Sequence, residues 1–187
     1  MIDTRTNRRL FGVSTASYAI GVITGIVLWY VVDAQQMAGT QLTTTTGFAV
    51  GEEVTVPSLV SNNLRVTGYI LSGAITFGAG ALWTLFYNGL AQSSLVLSFQ
   101  LDPVEAFLFM APHGVFEMIA YLLAGTASLR IPYEFSRVLL GRESIPGPRK
   151  VLSDVLVLVT VSVLLLAIGA VVEAEVTPVL VDQVLNG

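Results

Sequence analysis

The chain has 187 residues, of which 53% are hydrophobic and 12% are charged, and its formal net charge is −4 at pH 7. Soluble domains carry about 25% charged residues, so this composition excludes a water-soluble globular domain and favours a membrane protein. The excess of acids excludes a basic nucleic-acid-binding surface, and nucleic acid is therefore not expected as a partner. The chain has no cysteine, which excludes disulfides, thiolate metal sites and a cysteine nucleophile.

Three segments are long and apolar enough to cross a lipid bilayer as helices. A hydrocarbon core of about 30 Å corresponds to roughly 20 helical residues, and the segments 11–32, 64–88 and 150–176 meet this length. The first begins as a signal peptide would, but its apolar run is longer than a signal peptide needs, so we predict a retained span. The stretch 33–63 is polar and rich in Thr and Gly, which predicts the largest loop, with room for a short strand or a surface helix.

The stretch 89–129 is apolar but is interrupted by acidic residues and prolines. We predict two short or broken membrane segments here, 90–111 and 112–130. Pro112 then lies in the first turn of a helix, where its missing N–H costs little. The alternative is a single kinked span from Val104 to Leu129.

The distribution of basic residues predicts the orientation in the membrane. Two groups are separated by most of the chain: Arg5, Arg8 and Arg9, and then Arg130, Arg137, Arg142, Arg149 and Lys150. Basic loops are retained in the cytoplasm, so we expect both groups there, and the C-terminus outside. An even number of crossings between them favours two segments over the single kinked span. The predicted fold is an all-α polytopic transmembrane helical bundle, one domain over 1–187 in the cell membrane, with about five membrane segments, one of them broken or re-entrant.

Small and hydroxyl residues recur every four positions along the second predicted span. They are Gly68, Ser72, Thr76, Gly80, Thr84 and Asn88. Helices in lipid associate through close backbone approach and interhelical hydrogen bonds, so this pattern favours a helix-packing face. A face that lines a pore is the alternative.

The segment Ala111-Pro112-His113-Gly114-Val115-Phe116-Glu117 places the only histidine and a carboxylate at i and i+4 of one helix, within reach of each other. Ionisable groups at membrane depth usually face the bundle interior and often mark function. The pair is interpreted as a structural hydrogen bond, as a site of proton or ion transfer, or as part of a metal site. Catalytic zinc needs three protein ligands, so carboxylates such as Glu105 or Glu173, or a second subunit, would have to complete the shell around the one histidine.

Glu173 lies at the far end of the last predicted span, in the sequence Glu173-Ala174-Glu175-Val176-Thr177-Pro178, where Pro178 is expected to end the helix. We interpret Glu173 either as an ordinary acidic residue at the membrane interface or as part of a polar cluster. In the second case it meets the His113 helix, or Asn63 and Arg65.

Three segments together resemble the stage II sporulation protein M family. They are the span from Asn62-Asn63 to Asn88-Gly89, the motif Pro112-His113-Gly114-x-x-Glu117, and the end from Glu173-Ala174 to Thr177-Pro178. The resemblance covers most of the chain. It implies a multi-spanning membrane protein whose polar centre contains His113, Glu117 and Glu173, with Asn63 and Asn88 at further family positions.

The family namesake acts with a peptidoglycan-degrading partner and another membrane protein during engulfment, but relatives also occur in archaea and other organisms that never sporulate. The low lysine content of this chain suits an acidic, archaeal-like composition. Its loop over 33–63 is too small to bind a large partner alone. The resemblance therefore implies the fold and the polar centre rather than the sporulation role.

Three functions remain open. The first is a non-enzymatic scaffold or regulator in envelope or membrane remodelling, with no catalytic residue and no cofactor. The second is a small transporter or channel built on the His–Glu polar centre, in which a broken helix lines a cavity. The third is a membrane-embedded metal-dependent hydrolase with His113 as general base and zinc as cofactor. The expected partners are the lipid bilayer and a second copy of the chain or other membrane proteins.

Overall fold

In a computed structural model that describes residues 3–31, 55–98, 103–141 and 146–185, the chain forms a bundle of α-helices. The described residues contain no strand, and the predicted all-α fold class is confirmed. The helices are α1 (Thr4–Val31), α2 (Val56–Leu71), α3 (Ala79–Ser98), α4 (Pro103–Leu139), α5 (Pro148–Val171) and α6 (Thr177–Leu185), with a 3₁₀ turn at Ser72–Ala74 and a π-helical segment at Val172–Val176.

Three helical stretches among the described residues are long and apolar enough to cross a membrane: Thr4–Val31, Met110–Leu139 and Pro148–Val184. Their outward faces are apolar, as the exposed Ile23 of α1 and Leu164 of α5 illustrate. Fully exposed apolar faces of this length are unfavourable in water but suit hydrocarbon. The inward faces meet in one core, whose most buried members are Ile70, Ala81, Leu85, Ala120, Ala124 and Leu166.

Glycines bring α1 and α3 into close backbone contact. A Cβ at Gly21 would lie 2.8 Å from the Phe86 carbonyl carbon, and one at Gly25 would lie 2.6 Å from the Leu90 carbonyl oxygen. From Gly89 of α3, a Cβ would lie 3.0 Å from the Val22 amide nitrogen of α1. Because successive contacts advance along both helices together, α1 and α3 run in the same direction. Such close approach through small residues is the main means of helix association in lipid.

The predicted span 64–88 is not one helix, because the chain reverses at residues 72–78. Helix α2 ends at Leu71, Phe77 and Gly78 adopt positive φ values of 52° and 92°, and α3 then begins at Ala79. The reversal is tight because Gly73 has no side chain: a Cβ there would lie 2.6 Å from the Ala81 Cβ. Of the small residues that predicted a packing face, Ser72, Thr76 and Gly80 lie at the turn of this helical hairpin.

Two further boundaries differ from the sequence analysis. Residues 56–63, assigned to the loop, form the first half of α2, with Thr55 as N-cap in a capping box with Ser58. The rest of the predicted loop, 32–54, lies outside the described residues. The boundary predicted at Pro112 is also wrong, because α4 continues through it from Pro103 to Leu139. Pro103 takes the first-turn position that we assigned to Pro112, and α4 contains two interior prolines, Pro112 and Pro132.

The described members of the two predicted groups of basic residues lie at the same end of the bundle, while Arg142 is outside the described residues. Arg130, which is fully buried near the end of α4, makes ion pairs of 3.1 Å with Asp3 before α1, 3.1 Å with Glu134 and 3.4 Å with Asp154 on α5. We call these four residues the ion cluster. Since they join the start of α1, the end of α4 and the start of α5, they hold three chain segments together at this end.

Candidate functional site: a polar centre between the helices

The interior of the bundle holds a buried amide that lies between one carboxylic and one phenolic side chain. Asn63 on α2 is 4% exposed. Its Nδ2 donates a hydrogen bond to Glu117 Oε1 on α4, and its Oδ1 accepts one from the Tyr121 hydroxyl at 3.0 Å. Both ends of the amide are therefore used, which satisfies a polar group where lipid and packed side chains offer no water. These bonds fix the register of α2 against α4.

His113 and Glu117 lie one turn apart on α4, as predicted, and Tyr121 follows after one more turn. The carboxylate of Glu117 accepts a hydrogen bond from Asn63, and among the described residues no hydrogen bond joins it to the His113 imidazole. His113 is half-buried, and its Nδ1 has no hydrogen-bond partner among the described residues. We call Asn63, His113, Glu117, Tyr121 and Glu173 the polar centre.

Glu173 lies in the π-helical segment between α5 and α6. The segment precedes Pro178, which has no N–H for the helical ladder, and the Thr177 hydroxyl donates to the Val172 carbonyl at 3.1 Å. Glu173 is half-buried and lies within electrostatic range of Glu117 and Tyr121. The structure therefore brings Glu173 towards Glu117. The prediction that the helix ends at Pro178 is wrong, because the chain continues from α5 through the π-helical turn into α6, which contains Pro178. A π-helical turn inside an α-helix is often found at a functional site.

Close packing of α5 onto α4 supports the polar centre. The Ser162 hydroxyl donates to the Ala120 carbonyl at 2.8 Å. Further along, Gly169 lies against the His113–Glu117 turn, since a Cβ there would be 3.4 Å from the Phe116 Cβ and 3.5 Å from the Glu117 Cγ. The two contacts show that the helices are antiparallel, and they place the polar centre in the half of the bundle away from the ion cluster.

The remaining predicted residues lie outside the polar centre. Asn88 on α3 donates to the Thr84 carbonyl of its own helix at 2.8 Å. Ser72, Thr76 and Gly80 lie together at the hairpin turn, where the Thr76 hydroxyl accepts from the Gly80 N–H at 2.9 Å. Gly68 is exposed on α2, and no atom lies within 4 Å of where its Cβ would be.

Two polar links were missed by sequence reasoning. Tyr121 continues the four-residue spacing of His113 and Glu117, and this spacing is the signal that would have found it. Tyr18 on α1 donates to Gln92 Oε1 on α3, and no local sequence pattern predicts a contact between residues so far apart in the chain. The polar side chains thus connect α1 to α3 and α2 to α4.

The ion cluster was also missed, and its carboxylate Asp3 is electrostatically perturbed. Partial burial raises the pKa of Asp3, but hydrogen bonds from Thr6 and Arg130, together with the arginine charge, outweigh burial and lower the pKa to about 2. The Thr6 N–H donates to Asp3 Oδ1 at 3.1 Å, and Arg130 donates to Oδ2 at 3.1 Å. The carboxylate is therefore held ionised beside the buried guanidinium.

Metal-ligating side chains do not converge at the polar centre. In the part of the chain that the structure describes, no three His, Cys, Asp or Glu side chains are arranged to hold a metal ion. The side chain of Glu105, one of the candidate ligands, is outside this part. The described residues at the centre supply amide, phenol, imidazole and carboxylate groups, which suit hydrogen bonding and proton exchange.

Comparison with known proteins identifies the family of this chain. The model of the family described as Stage II sporulation protein M matches residues 14–178, a range that includes the whole polar centre. An uncharacterized protein from Methanocaldococcus jannaschii is 33% identical over 133 residues, which cover 70% of this chain and 75% of that protein. No solved structure gives a significant match. With long apolar helices, a His113-to-Glu117 turn in the bundle and a family match over most of its length, the chain belongs to the stage II sporulation protein M family of membrane proteins.

Proposed function

We propose that this protein is a non-enzymatic scaffold or regulator of membrane partners in envelope or membrane remodelling. The observation that carries the proposal is the double use of Asn63, whose amide bonds both Glu117 and Tyr121. A buried polar group that is hydrogen-bonded on both sides fixes the positions of the helices that it joins. The polar centre then serves to hold α2, and the face that α2 presents, in one position.

The two basic groups at one end of the bundle support a fixed orientation in the membrane, with this end in the cytoplasm. Five helices, α1 to α5, would then cross or enter the membrane in turn, and α6 would lie outside. A scaffold binds its partners through helix surfaces that keep a fixed orientation, and it does not require a conformational change.

Glu117 provides a test, because glutamine keeps a hydrogen-bond acceptor but cannot carry a proton. For a scaffold, we expect Glu117→Gln to retain most of the melting temperature in detergent, while Glu117→Leu lowers it because Asn63 loses its acceptor. Proteoliposomes of the wild type should show neither ion flux nor a metal-dependent hydrolytic rate. Either activity, if it were abolished by Glu117→Gln in a folded protein, would refute the scaffold proposal.

A second candidate function is transport of protons or small ions through the polar centre. Two observations favour it: the buried Nδ1 of His113 has no partner among the described residues, and Glu173 lies in a π-helical turn. Irregular helices that expose backbone groups are common at transporter binding sites. Under this function, vesicles with a trapped pH-sensitive dye should lose an imposed pH gradient, and His113→Ala should stop the loss.

A further inference from the structure

Helix α2 presents a mixed face away from the bundle that carries one positive charge. Between Ser61 and Tyr69 its exposed residues are Ser61, Leu64, Arg65, Gly68 and Tyr69, and we call this the outward face of α2. The exposed faces of α1 and α5 are, by contrast, lined by residues such as Ile23 and Leu164. No ion pair of Arg65 forms with any described residue, since the ion pairs among them all involve Arg130 or Arg137.

Arg65 lies far from both ends of the bundle. Its neighbour Asn63 bonds Glu117 and Tyr121 in the interior of α4, and the carbonyl of Leu71 at the end of α2 accepts from Ser128. At a rise of 1.5 Å per residue, Arg65 is about 13 Å from the start of α2 and about 10 Å from the hairpin turn at Ser72. Most other charged side chains that the structure describes lie towards an end of the bundle, and Glu117 points inward.

An arginine that faces hydrocarbon at this depth is unfavourable. Its cost ranges from about 2.5 kcal/mol on insertion scales to more than 10 kcal/mol in simulations. Helical side chains point back towards the N-terminus of their helix, and the N-terminus of α2 is the end away from the ion cluster. Arg65 is thus directed towards the polar centre's half of the bundle rather than towards the nearer hairpin turn. The charge is best accommodated by a protein surface that supplies an anion.

We propose that the outward face of α2 docks a transmembrane helix of another protein that carries a carboxylate at the depth of Arg65. This inference rests on the proposed scaffold function and names the partner's chemistry. Gly68, one turn from Arg65, has open space around it and would let the backbone of a second helix approach closely. Arg65 supplies the charge that the partner's carboxylate would match.

A second copy of this chain fits the face less well. A two-fold axis along the membrane normal keeps every residue at its own depth, so it would bring Arg65 towards Arg65 of the copy. The described carboxylates at other positions are turned inward, as Glu117 is, or lie near the ends, as Glu134 and Glu175 do. Charge complementarity therefore favours a different protein.

The absence of cysteine from the sequence makes the test free of background labelling. Ser153→Cys, exposed on α5, carries an acceptor dye, and energy transfer is measured in lipid vesicles from a donor-labelled Leu-rich transmembrane peptide. The peptide carries one Asp at its centre or, as the matched control, Leu. We expect the Asp peptide to bind roughly 3- to 30-fold more tightly, the range that corresponds to about 0.6–2 kcal/mol for a polar contact between helices.

Arg65→Leu should abolish this preference, and Arg65→Lys should keep it, while both variants stay folded because the side chain is exposed. Equal binding of the two peptides to the wild type would overturn the proposal, as would a preference that survives Arg65→Leu. Arg65-dependent energy transfer between copies of the chain would assign the face to a second copy instead. Labelling of Gly68→Cys by a membrane-impermeant thiol reagent in vesicles would show a water-filled cavity, which also overturns it.

The scaffold proposal is tested separately by flux and by metal-dependent hydrolysis, so its failure is distinguishable from that of the docking proposal. If the protein transports ions and shows no preference for the Asp peptide, both the scaffold proposal and the docking proposal are refuted. If the protein shows neither ion flux nor metal-dependent hydrolysis and binds the two peptides equally, only the docking proposal is refuted.

Discussion

Asn63 shows how a single side chain sets the position of a helix. Its amide reaches Glu117 through the nitrogen and Tyr121 through the oxygen, and its own carbonyl accepts from Thr67 at 2.9 Å. In a buried site, a missing partner costs more than a formed hydrogen bond contributes. Loss of the Asn63 side chain would leave the Glu117 and Tyr121 polar groups unpaired. The free-energy cost of these unpaired groups exceeds the net contribution of either hydrogen bond.

Replacing Asn63 by leucine tests this point. The change leaves the Glu117 carboxylate and the Tyr121 hydroxyl without their partner, and we expect a loss of about 2–4 kcal/mol in the free energy of unfolding. Tyr121→Phe removes only one of the two bonds and should cost about 1–3 kcal/mol. Thermal unfolding in one detergent measures both. A smaller loss for Asn63→Leu than for Tyr121→Phe would contradict the double role of the amide.

Arg130 is the second residue whose environment decides its effect. It is fully buried and faces three carboxylates, so its removal leaves uncompensated negative charge inside the protein. Breaking a buried pair by removing one partner typically costs about 3–5 kcal/mol. We expect Arg130→Gln to lower the stability by about this amount.

The matched control for Arg130 is Arg149→Gln, since Arg149 is exposed at the same end of the bundle. A surface substitution of this kind usually changes stability by no more than about 0.5 kcal/mol. Denaturant titration of the two variants in the same detergent compares them directly. Equal losses would show that the ion cluster contributes nothing beyond general surface charge.

At the scale of the elements, glycine position rather than glycine count determines packing. Gly21 lies where α1 meets the Phe86 backbone, while Gly12 on the same helix has open space around it. Backbone atoms cannot move aside as a flexible side chain can, so a Cβ at Gly21 must push α1 and α3 apart. The same substitution therefore has opposite effects at two positions of one helix.

Gly21→Ala and Gly12→Ala form a matched pair for this element. At Gly12 the alanine should stabilise α1 by up to about 1 kcal/mol, because alanine has the higher helix propensity. For Gly21 we expect overpacking to cost about 1–3 kcal/mol or more. Melting temperatures in one detergent give the sign of each change. If Gly21→Ala were neutral, the close contact of α1 with α3 would not exist in solution.

At the scale of the whole molecule, the two ends of the bundle differ. The ion cluster joins three chain segments at one end, and Glu173 and Glu175 lie towards the other. Asp3, at the very start of α1, connects this first segment to Arg130, and its N–H also donates to Asp154 at 3.2 Å. Such ion clusters act over the whole fold, because they hold together helices that are distant in sequence. Their contribution depends on the protonation of their carboxylates.

Asp3 predicts a dependence of stability on acid. Its pKa lies near 2 in the folded protein and at 3.8 without these contacts, so the folded state binds fewer protons between these values. The stabilisation is fully present above pH 3.8 and is lost as the pH falls through about 2. The melting temperature of the wild type should therefore fall more steeply than that of Asp3→Asn between pH 4 and pH 2. Parallel curves would contradict the perturbed pKa.

The sequence by itself determined the solvent and the class of fold. Uncharged apolar runs that are long enough to cross a bilayer must be helical, because lipid offers the backbone no hydrogen-bond partners. The basic residues at 5–9 and 130–150 also predicted that these two segments share one end. The spacing of His113 and Glu117 placed them on one turn, because it follows from helix geometry alone. The family resemblance rested on the same local motifs.

Only the tertiary structure decided where the helices break and which polar groups meet. Pro103 and Pro112 both interrupt the same apolar stretch of sequence, and the structure makes the first a helix start and the second an interior residue of α4. The chain reverses at 72–78 because Gly73 fits against Ala81, a contact between residues that local propensity does not reveal. Asn63 likewise bonds Glu117 across 54 positions, and pairings over such distances depend on how the whole bundle packs.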